Sequence, residues 1–504
     1  MSYLGIDVGT TGCKVIAFDE EGTVLAQAYA EYPLYHPQNG WSELDAEEVY
    51  KSVLACLRKV TESIRHDPPV SIGISSQGEA VIPVDARGRA LARSIVTFDT
   101  RGDEFVPLFR EKLGEERFFA ITGMPLSGIG TVNKILWWKK YAPSVFKEAR
   151  YFLCFEDFLI LRFGLPPAIS FPLASRTMMF DVEKGAWSAE ILDIAGIEPE
   201  RLALAYPSGT PVGEVSREFA GELGWTTKVT VATGGHDQPC GALGAGVIAE
   251  GLAMDATGTV ECIAPAIPHF VRGEAMWRNN LCCYHHAFPG LYTTLVYNFT
   301  GGVILRWFRD NFGEKEKEVA ERLGKDAYEL LLDGLPEYPT NLLVLPHFTM
   351  TGTPYFDSHS AGMVVGLSLN TTKKEFTKAL LEGVSYEMKL NLALLKEAGI
   401  GVARLRAIGG GAKSPVWLQL KADIYGIPVE TLSVSEAACF GAALLGRKAK
   451  EGTADFAGLI NDLVRVQRVY EPDLGRAKIY EERFAVYRRL YPALKNVIQG
   501  GQAL

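Results

Sequence analysis

Apolar and polar positions alternate through the first thirty residues. Leu4, Ile6 and Val8 stand between Tyr3, Gly5 and Asp7; Val15, Ala17 and Phe18 resume the pattern after the turn "GTTG", and Thr23 to Ala30 follow a second turn, "DEEG". A period of two broken twice by turn residues predicts three strands joined by two tight turns. A weaker echo lies at 252–265, "LAMDATGTVECIAP", where an apolar run again reaches an Asp, a Gly/Thr turn and a second apolar run. The echo suggests that the two halves are related folds. Between them, "WSELDAEEVYKSVLACLRKVTESIRH" has the period of a helix with Ser42 as its cap, and "PVSIGISSQGEAVIPVDARGRAL" reads as strand, loop and strand. Farther on, "KEFTKALLEGVSYEMKLNLALLKEAG" is an amphipathic helix, and "VARLRAIGGGAKSPVWLQLKADIYGIPVETL" runs strand, glycine turn, helix, strand. Strands and helices in alternation place the chain in the α/β class. The glycine-rich, weakly patterned stretch near 245–252 marks the boundary between two domains, 1–247 and 248–504.

The chain has 504 residues, 47% of them hydrophobic, which is ordinary for roughly two to four folded domains. Acids outnumber bases, 60 to 51, and the bases are scattered, so a nucleic-acid footprint is excluded and a small-molecule partner is expected. Eight cysteines follow no paired spacing, and the N-terminus has no basic and then apolar run; both point to a reducing cytoplasm. No run of about 18 apolar residues appears, so no membrane span is expected.

The glycine turns separate by their surroundings. "GGGAKS" at 409–414 imitates only the end of a Walker A loop, and "GALGAG" at 241–246 lacks the strand-then-helix order of a dinucleotide site. The turn at 9–12 is different. A hairpin loop of small residues leaves backbone N–H groups pointing one way, a nest suited to phosphate oxygens. Thr10 and Thr11 add hydroxyl donors, Lys14 adds a positive charge, and Asp7 is placed to hold a magnesium-bound water. The competing reading is a plain hairpin whose glycines supply φ > 0. A second Asp-Gly-Thr turn at 255–259, "GGHDQ" at 234–238 and "IGGGA" at 408–412 favour the first: two phosphate hairpins and a glycine-lined wall describe an ATP cleft between two domains.

These motifs, with "PQNGWSELD", "TGMPLSGIGTVNKILWW", "ASRTMMFD", "FTGGVILRWF" and "LPHFTMTGTPYFD", resemble the successive motifs of the FGGY carbohydrate kinases, relatives of actin and hexokinase. The match runs in order from about residue 3 to 446 and leaves out the C-terminal 58 residues. The resemblance implies two actin-like, ribonuclease H-like α/β domains with the active site between them, ATP and Mg2+ as cofactors, and often a homodimer. It implies Asp237 of "GGHDQ" as catalytic base, where the residue alone also reads as a helix-capping acid. It implies Thr10, Thr11, Gly12, Lys14, Gly258, Thr259 and Gly302 at the nucleotide, with Gly410, Gly411 and Ala412 as the adenine wall and Asp7 toward the metal.

The acceptor loop departs from its relatives. Glycerol kinases carry Gln-Arg-Glu where "SSQGEA" has Gln77, Gly78 and Glu79, and a tyrosine where Ile129 stands; xylulokinases typically carry Gln-Met-His-Gly. The departures suggest a roomier acceptor, a ketose or polyol of about five or six carbons, bound by Gln77, Glu79, Asp99, Asp237 and Gln238. Asp99 reads equally as a surface salt bridge with Arg101. "CCYHH" at 282–286 lacks zinc spacing and reads as a buried strand. His236 reads as a hydrogen bonder that shapes the pocket, and "ILWWKKY" as core or interface packing. The rival functions are a sugar or nucleotide sensor without turnover and a sugar-independent ATPase on the same scaffold.

Overall fold

The computed structural model describes residues 1–501; the last three residues assigned to the second domain lie outside it. The first three strands form as their alternation predicts: β1 (Ser2–Val8), β2 (Gly12–Phe18) and β3 (Val24–Glu31). With β4 (Pro69–Ser76), β5 (Pro211–Glu214) and β6 (Thr230–His236) they make a six-stranded sheet in the order β3-β2-β1-β4-β6-β5. The second half builds its own sheet from β7 (Gly251–Thr257), β8 (Glu261–Pro265), β9 (Val296–Asn298), β10 (Val402–Ile408), β11 (Val429–Leu432) and β12 (Val466–Tyr470), in the order β9-β8-β7-β10-β11-β12.

Read outward from β1 and β7, the two sheets agree strand by strand. Each pairs two antiparallel strands on one side, and two parallel strands followed by an antiparallel edge strand on the other. The echo between residues 3–18 and 252–265 is therefore a repeated fold. The halves differ in chain order at one edge, since β5 precedes β6 whereas β12 follows β11.

The helices that bear on the site are α1 (Ala46–Ser63), α2 (Phe155–Arg162), α3 (Phe171–Arg176) and α4 (Asp237–Gly244) in the first half. In the second they are α5 (Val303–Phe312), α6 (Lys373–Glu397), α7 (Pro415–Tyr425), α8 (Ala437–Glu451), α9 (Leu474–Tyr487) and α10 (Leu490–Gly501). Ser42 does not cap α1. Asp45 does, its carboxylate accepting from the N–H groups of Glu47 and Glu48, while the Ser42 N–H is committed to Asp99. The carboxylate one residue before the helix reaches its orphan donors, and Ser42 is too far upstream to do so.

Alternate residues of β1 and β2 serve two cores. Leu4, Ile6, Val8 and Val15 pack with α1, whereas Tyr3, Ile16 and Phe18 join a core shared with α4 and α8. Helix α8 follows a strand of the second sheet yet lies on the first. A Cβ on Gly5 of β1 would sit 1.9 Å from the Cys439 carbonyl oxygen, and one on Gly73 of β4 would sit 1.9 Å from that of Ala442. Only glycine lets helix and sheet backbones approach so closely. The C-terminal segment completes the second half: β12 closes the sheet, and α9 is bound to α6 through Tyr480 donating to Glu382 (3.0 Å) and Tyr487 donating to Glu387 (2.5 Å). The "CCYHH" residues Cys282, Cys283 and His286 are buried, around a two-residue strand, Tyr284–His285. Trp138 of "ILWWKKY" is buried in the core. Among the described residues no helix is long and apolar enough to cross a membrane.

Candidate active site

The turn between β1 and β2 closes with the Gly9 N–H donating to the Gly12 carbonyl at 3.0 Å. Neither glycine has positive φ; a Cβ on Gly12 would instead strike the Ala30 carbonyl and the Tyr29 hydroxyl, both at 2.7 Å. Close approach of strands, and not a left-handed turn, requires glycine there. Gln77 fastens this turn: its amide nitrogen donates to Gly9 O (3.1 Å) and its amide oxygen accepts from the Thr10 hydroxyl (3.2 Å). Thr11 stays exposed at the tip. Asp7, at the end of β1, accepts from the Ser75 hydroxyl at 2.7 Å; burial pushes its carboxyl above the usual range, against the pull of Ser75 and Lys14. Lys14 itself lies 2.7 Å from Glu436, the residue that precedes α8.

Asp237 is the first residue of α4, delivered by β6. Its side chain is 31% exposed, yet its Oδ1 is shielded and accepts no hydrogen bond; the nearest cationic candidate, His236 Nε2, is 3.1 Å away. Burial keeps His236 neutral, helped by the Arg176 charge, so it neutralises nothing. Its Nδ1 shares a hydrogen bond with the Tyr284 hydroxyl at 2.9 Å. Burial, reinforced by the negative charges of Asp7 and Glu79, raises the Asp237 carboxyl to about 7, with the Gln238 N–H and Arg176 opposing. The Gln238 side-chain oxygen is likewise shielded and unpartnered.

Glu79 is 2% exposed, with φ +57°, a conformation costly for a residue with a Cβ. Its environment imposes it. The backbone oxygen accepts from Lys134 (2.9 Å) and Thr131 (3.2 Å), one carboxylate oxygen accepts from Thr97 (3.1 Å), and the other pairs with Arg176. Burial lowers Lys134 to about 8, with Glu79 and Asp99 opposing. A Cβ on Gly78 would lie 3.0 Å from His236 Nε2 and 3.4 Å from Arg176 Cγ, so the guanidinium that a larger residue at 78 would bring comes instead from α3. Asp99 is held in an adjoining cluster, near enough for its charge to act on Lys134. Its two oxygens accept from the Ser42 N–H, the Arg101 N–H and the Arg101 guanidinium, which also reaches Glu43 and lies 4.1 Å from the Trp41 ring. The Asp99–Arg101 pair is buried rather than superficial.

On the second sheet, Gly258 closes the matching turn (N–H to Val260 O, 2.9 Å), and Gly301 and Gly302, just before α5, donate to Thr259 O and Gly258 O at 2.9 and 2.8 Å. A cavity of about 740 Å³ opens beside it, lined by Gly258, Thr259, Gly302, Gly410 and Gly411, with Leu305, Pro415 and Trp417 as apolar walls. A Cβ on Gly411 would be 2.5 Å from Thr257 Cβ, whereas one on Gly410 would meet nothing nearer than 3.9 Å. Gly410 thus leaves open space for whatever fills the cavity. Ala412 does not line it and packs against the core behind. Beneath the turn, Asp255 and Glu261 share one buried cation, Lys421 of α7, at 2.8 and 2.9 Å, and Lys421 also donates to the Thr257 hydroxyl at 2.6 Å.

Arg176, Lys134, Glu436 and Lys421 escaped the sequence reading. Arg176 stands inside "ASRTMMFD", Lys134 inside "TGMPLSGIGTVNKILWW" and Lys421 inside the strand, turn and helix after residue 402, stretches that carried a signal without giving these residues a role; Glu436, just before α8, looks like an ordinary surface charge.

Comparison with known proteins agrees. Residues 2–244 match the N-terminal domain, and 284–449 the C-terminal domain, of the FGGY family of carbohydrate kinases. The chain is 28% identical over 501 residues to a xylulose kinase of Staphylococcus epidermidis, covering 98% of this chain and 97% of that one. It is 28% identical over 502 residues to a gluconokinase of Bacillus licheniformis, covering 98% and 96%. A solved xylulose kinase from Rhodospirillum rubrum superposes with a TM-score of 0.87 at 26% identity, covering 99% of this chain and all of the other. With both family domains matched in order and the repeated sheet in place, this chain belongs to the FGGY family of carbohydrate kinases.

Proposed function

We propose that the protein transfers the γ-phosphoryl group of ATP to a hydroxyl of a neutral ketose or polyol of about five or six carbons, with Asp237 as general base. The observation that carries the reading is the shielded, unpartnered Asp237 Oδ1, beside the unpartnered Gln238 oxygen and the Glu79–Arg176 pair. Buried acceptors without partners are costly in a protein, and the exposed part of the Asp237 side chain beside them is what a hydroxyl of a polyhydroxyl ligand meets. Glu79 pairs with the Arg176 guanidinium, and Asp237 feels the negative charges of both Glu79 and Asp7, so a sugar acid would add a further negative charge beside the base.

In this reading the adenosine occupies the 740 Å³ cavity against Gly410, Gly411 and Trp417. The turns at 9–12 and 258–259 hold the phosphates through backbone N–H groups, Thr10, Thr11 and Thr259, and Lys14 exchanges Glu436 for a phosphate oxygen. Among the described residues no group of three or more acidic, His or Cys side chains gathers to hold a metal alone. A single carboxylate, Asp7, fits Mg2+ that is bound mostly by phosphates and water. The ion supplies charge neutralisation during transfer. Asp237, ionised above about pH 7, takes the proton of the attacking hydroxyl. Closure of the two halves excludes the water that would otherwise receive the phosphoryl group.

The test is ADP release with ATP and Mg2+ across D-xylulose, pentitols, hexitols and gluconate. Stimulation by a neutral acceptor above gluconate is expected. No stimulation by any acceptor, with ATP bound, points to a sensor; ATP hydrolysis indifferent to all of them points to an ATPase; either result overturns the reading.

A further inference from the structure

Glu156, near the start of α2, is fully buried and lies outside the groups proposed to bind either substrate. A carboxylate away from water is expensive unless it is fully hydrogen-bonded. This one is: Oε1 accepts from the Gly234 N–H at 2.6 Å, and Oε2 accepts from the Ser170 N–H at 3.0 Å and the Ser170 hydroxyl at 2.7 Å.

Its two partners belong to the two arms of the acceptor site. Gly234 lies where β6 slips against β4, between Ala232 and Gly235, and a Cβ there would be 1.8 Å from the Ile74 carbonyl oxygen. A bulge removes residues from the ladder, so the Gly234 N–H needs another acceptor. Three residues later the same strand delivers Asp237. Ser170 precedes α3, whose last residue is Arg176, the partner of Glu79.

We propose that Glu156 is a positioning residue that sets Asp237 and Arg176 in register, one carboxylate oxygen holding the strand that carries the base and the other the helix that carries the guanidinium. The inference rests on the reading of Asp237 as base. Displacing a reacting group by about 1 Å costs about 10²-fold in rate, so loss of this register is visible in turnover.

The decisive variant is Glu156→Gln, which keeps the shape and offers one acceptor in place of two. Whichever way the amide turns, its NH2 faces a donor, and either the Gly234 or the Ser170 N–H is left without a partner. Expected are a kcat lowered about 10- to 100-fold with the acceptor that wild type uses, ATP affinity by direct titration within about twofold, and an unfolding midpoint within about 4 °C of wild type, because a neutral amide is cheaper to bury than a charge. Undiminished kcat overturns the proposal, as does a parallel loss of ATP affinity and fold. Ser170→Ala provides the second arm: it removes one donor on the α3 side and is expected to raise the acceptor KM more than it lowers kcat; unchanged kinetics in that folded variant also overturn the proposal. If Asp237→Asn keeps full turnover, the base reading fails; if Asp237→Asn is dead and Glu156→Gln is not, only this inference fails.

Discussion

The same strand-turn-strand is used twice, and the two copies spend their charges differently. In the first, Asp7 and Lys14 stay half-buried at the mouth of the turn, Lys14 paired with Glu436 from the other half. In the second, the corresponding Asp255 is sealed away with Glu261 around Lys421, which is 1% exposed. An ion pair with access to water exchanges partners at little cost, whereas a buried one must keep the partners it has. On the proposed reading both turns meet phosphate, but only the first offers an exchangeable side-chain charge; the second is braced from beneath, its Lys421–Thr257 bond joining the turn to α7.

The contrast can be broken by substitution. The largest effect belongs to Asp237→Asn, expected to lower kcat by about 10²- to 10⁴-fold, the usual contribution of a general base, with ATP affinity retained in a direct binding titration. Next, Lys421→Met leaves two buried carboxylates without a cation and is expected to cost about 3–5 kcal/mol in denaturant unfolding. Lys14→Met should cost at most about 1 kcal/mol while raising the KM for ATP. If Lys14→Met unfolds the protein and Lys421→Met only weakens ATP binding, the assignment of roles is reversed.

A smaller effect separates the adjacent glycines. Gly410→Ala is expected to leave the melting temperature alone and weaken ATP binding, since its methyl enters the cavity; Gly411→Ala should lower the melting temperature, since its methyl meets Thr257 at 2.5 Å. The smallest is the pH limb. With the Asp237 carboxyl at about 7, the ionised base is gained as pH rises, so kcat/KM for the acceptor should climb through about pH 7 and then level. A carboxyl left in its ordinary range would give a flat profile between pH 6 and 8.

Local pattern was enough for much of this. Alternation located β1, β2 and β3, the glycine turn located the β10–α7–β11 unit, and ordered motifs brought residues 77, 79, 237 and 238 into one proposed site. It was not enough where a residue's role depends on its neighbours in space. Asp99 read equally as an acceptor ligand or a surface pair with Arg101, and the pair is not at the surface: four donors from Ser42 and Arg101 surround Asp99 in a buried cluster. Ala412, third in a glycine-rich run, is half-buried and packs partly against the core, because a 3-10 turn points successive residues in different directions.

By itself the amino-acid sequence determined the elements, the repeat and the family, because hydrophobic period, turn residues and motif order are properties of neighbours along the chain. Tertiary structure alone decided which charges are free to meet a ligand. Arg176 reaches Glu79, Lys421 reaches Asp255 and Lys14 reaches Glu436 across separations of about a hundred to more than four hundred residues, and whether a charged group acts or merely braces is set by the dielectric and the donors that such folding places around it.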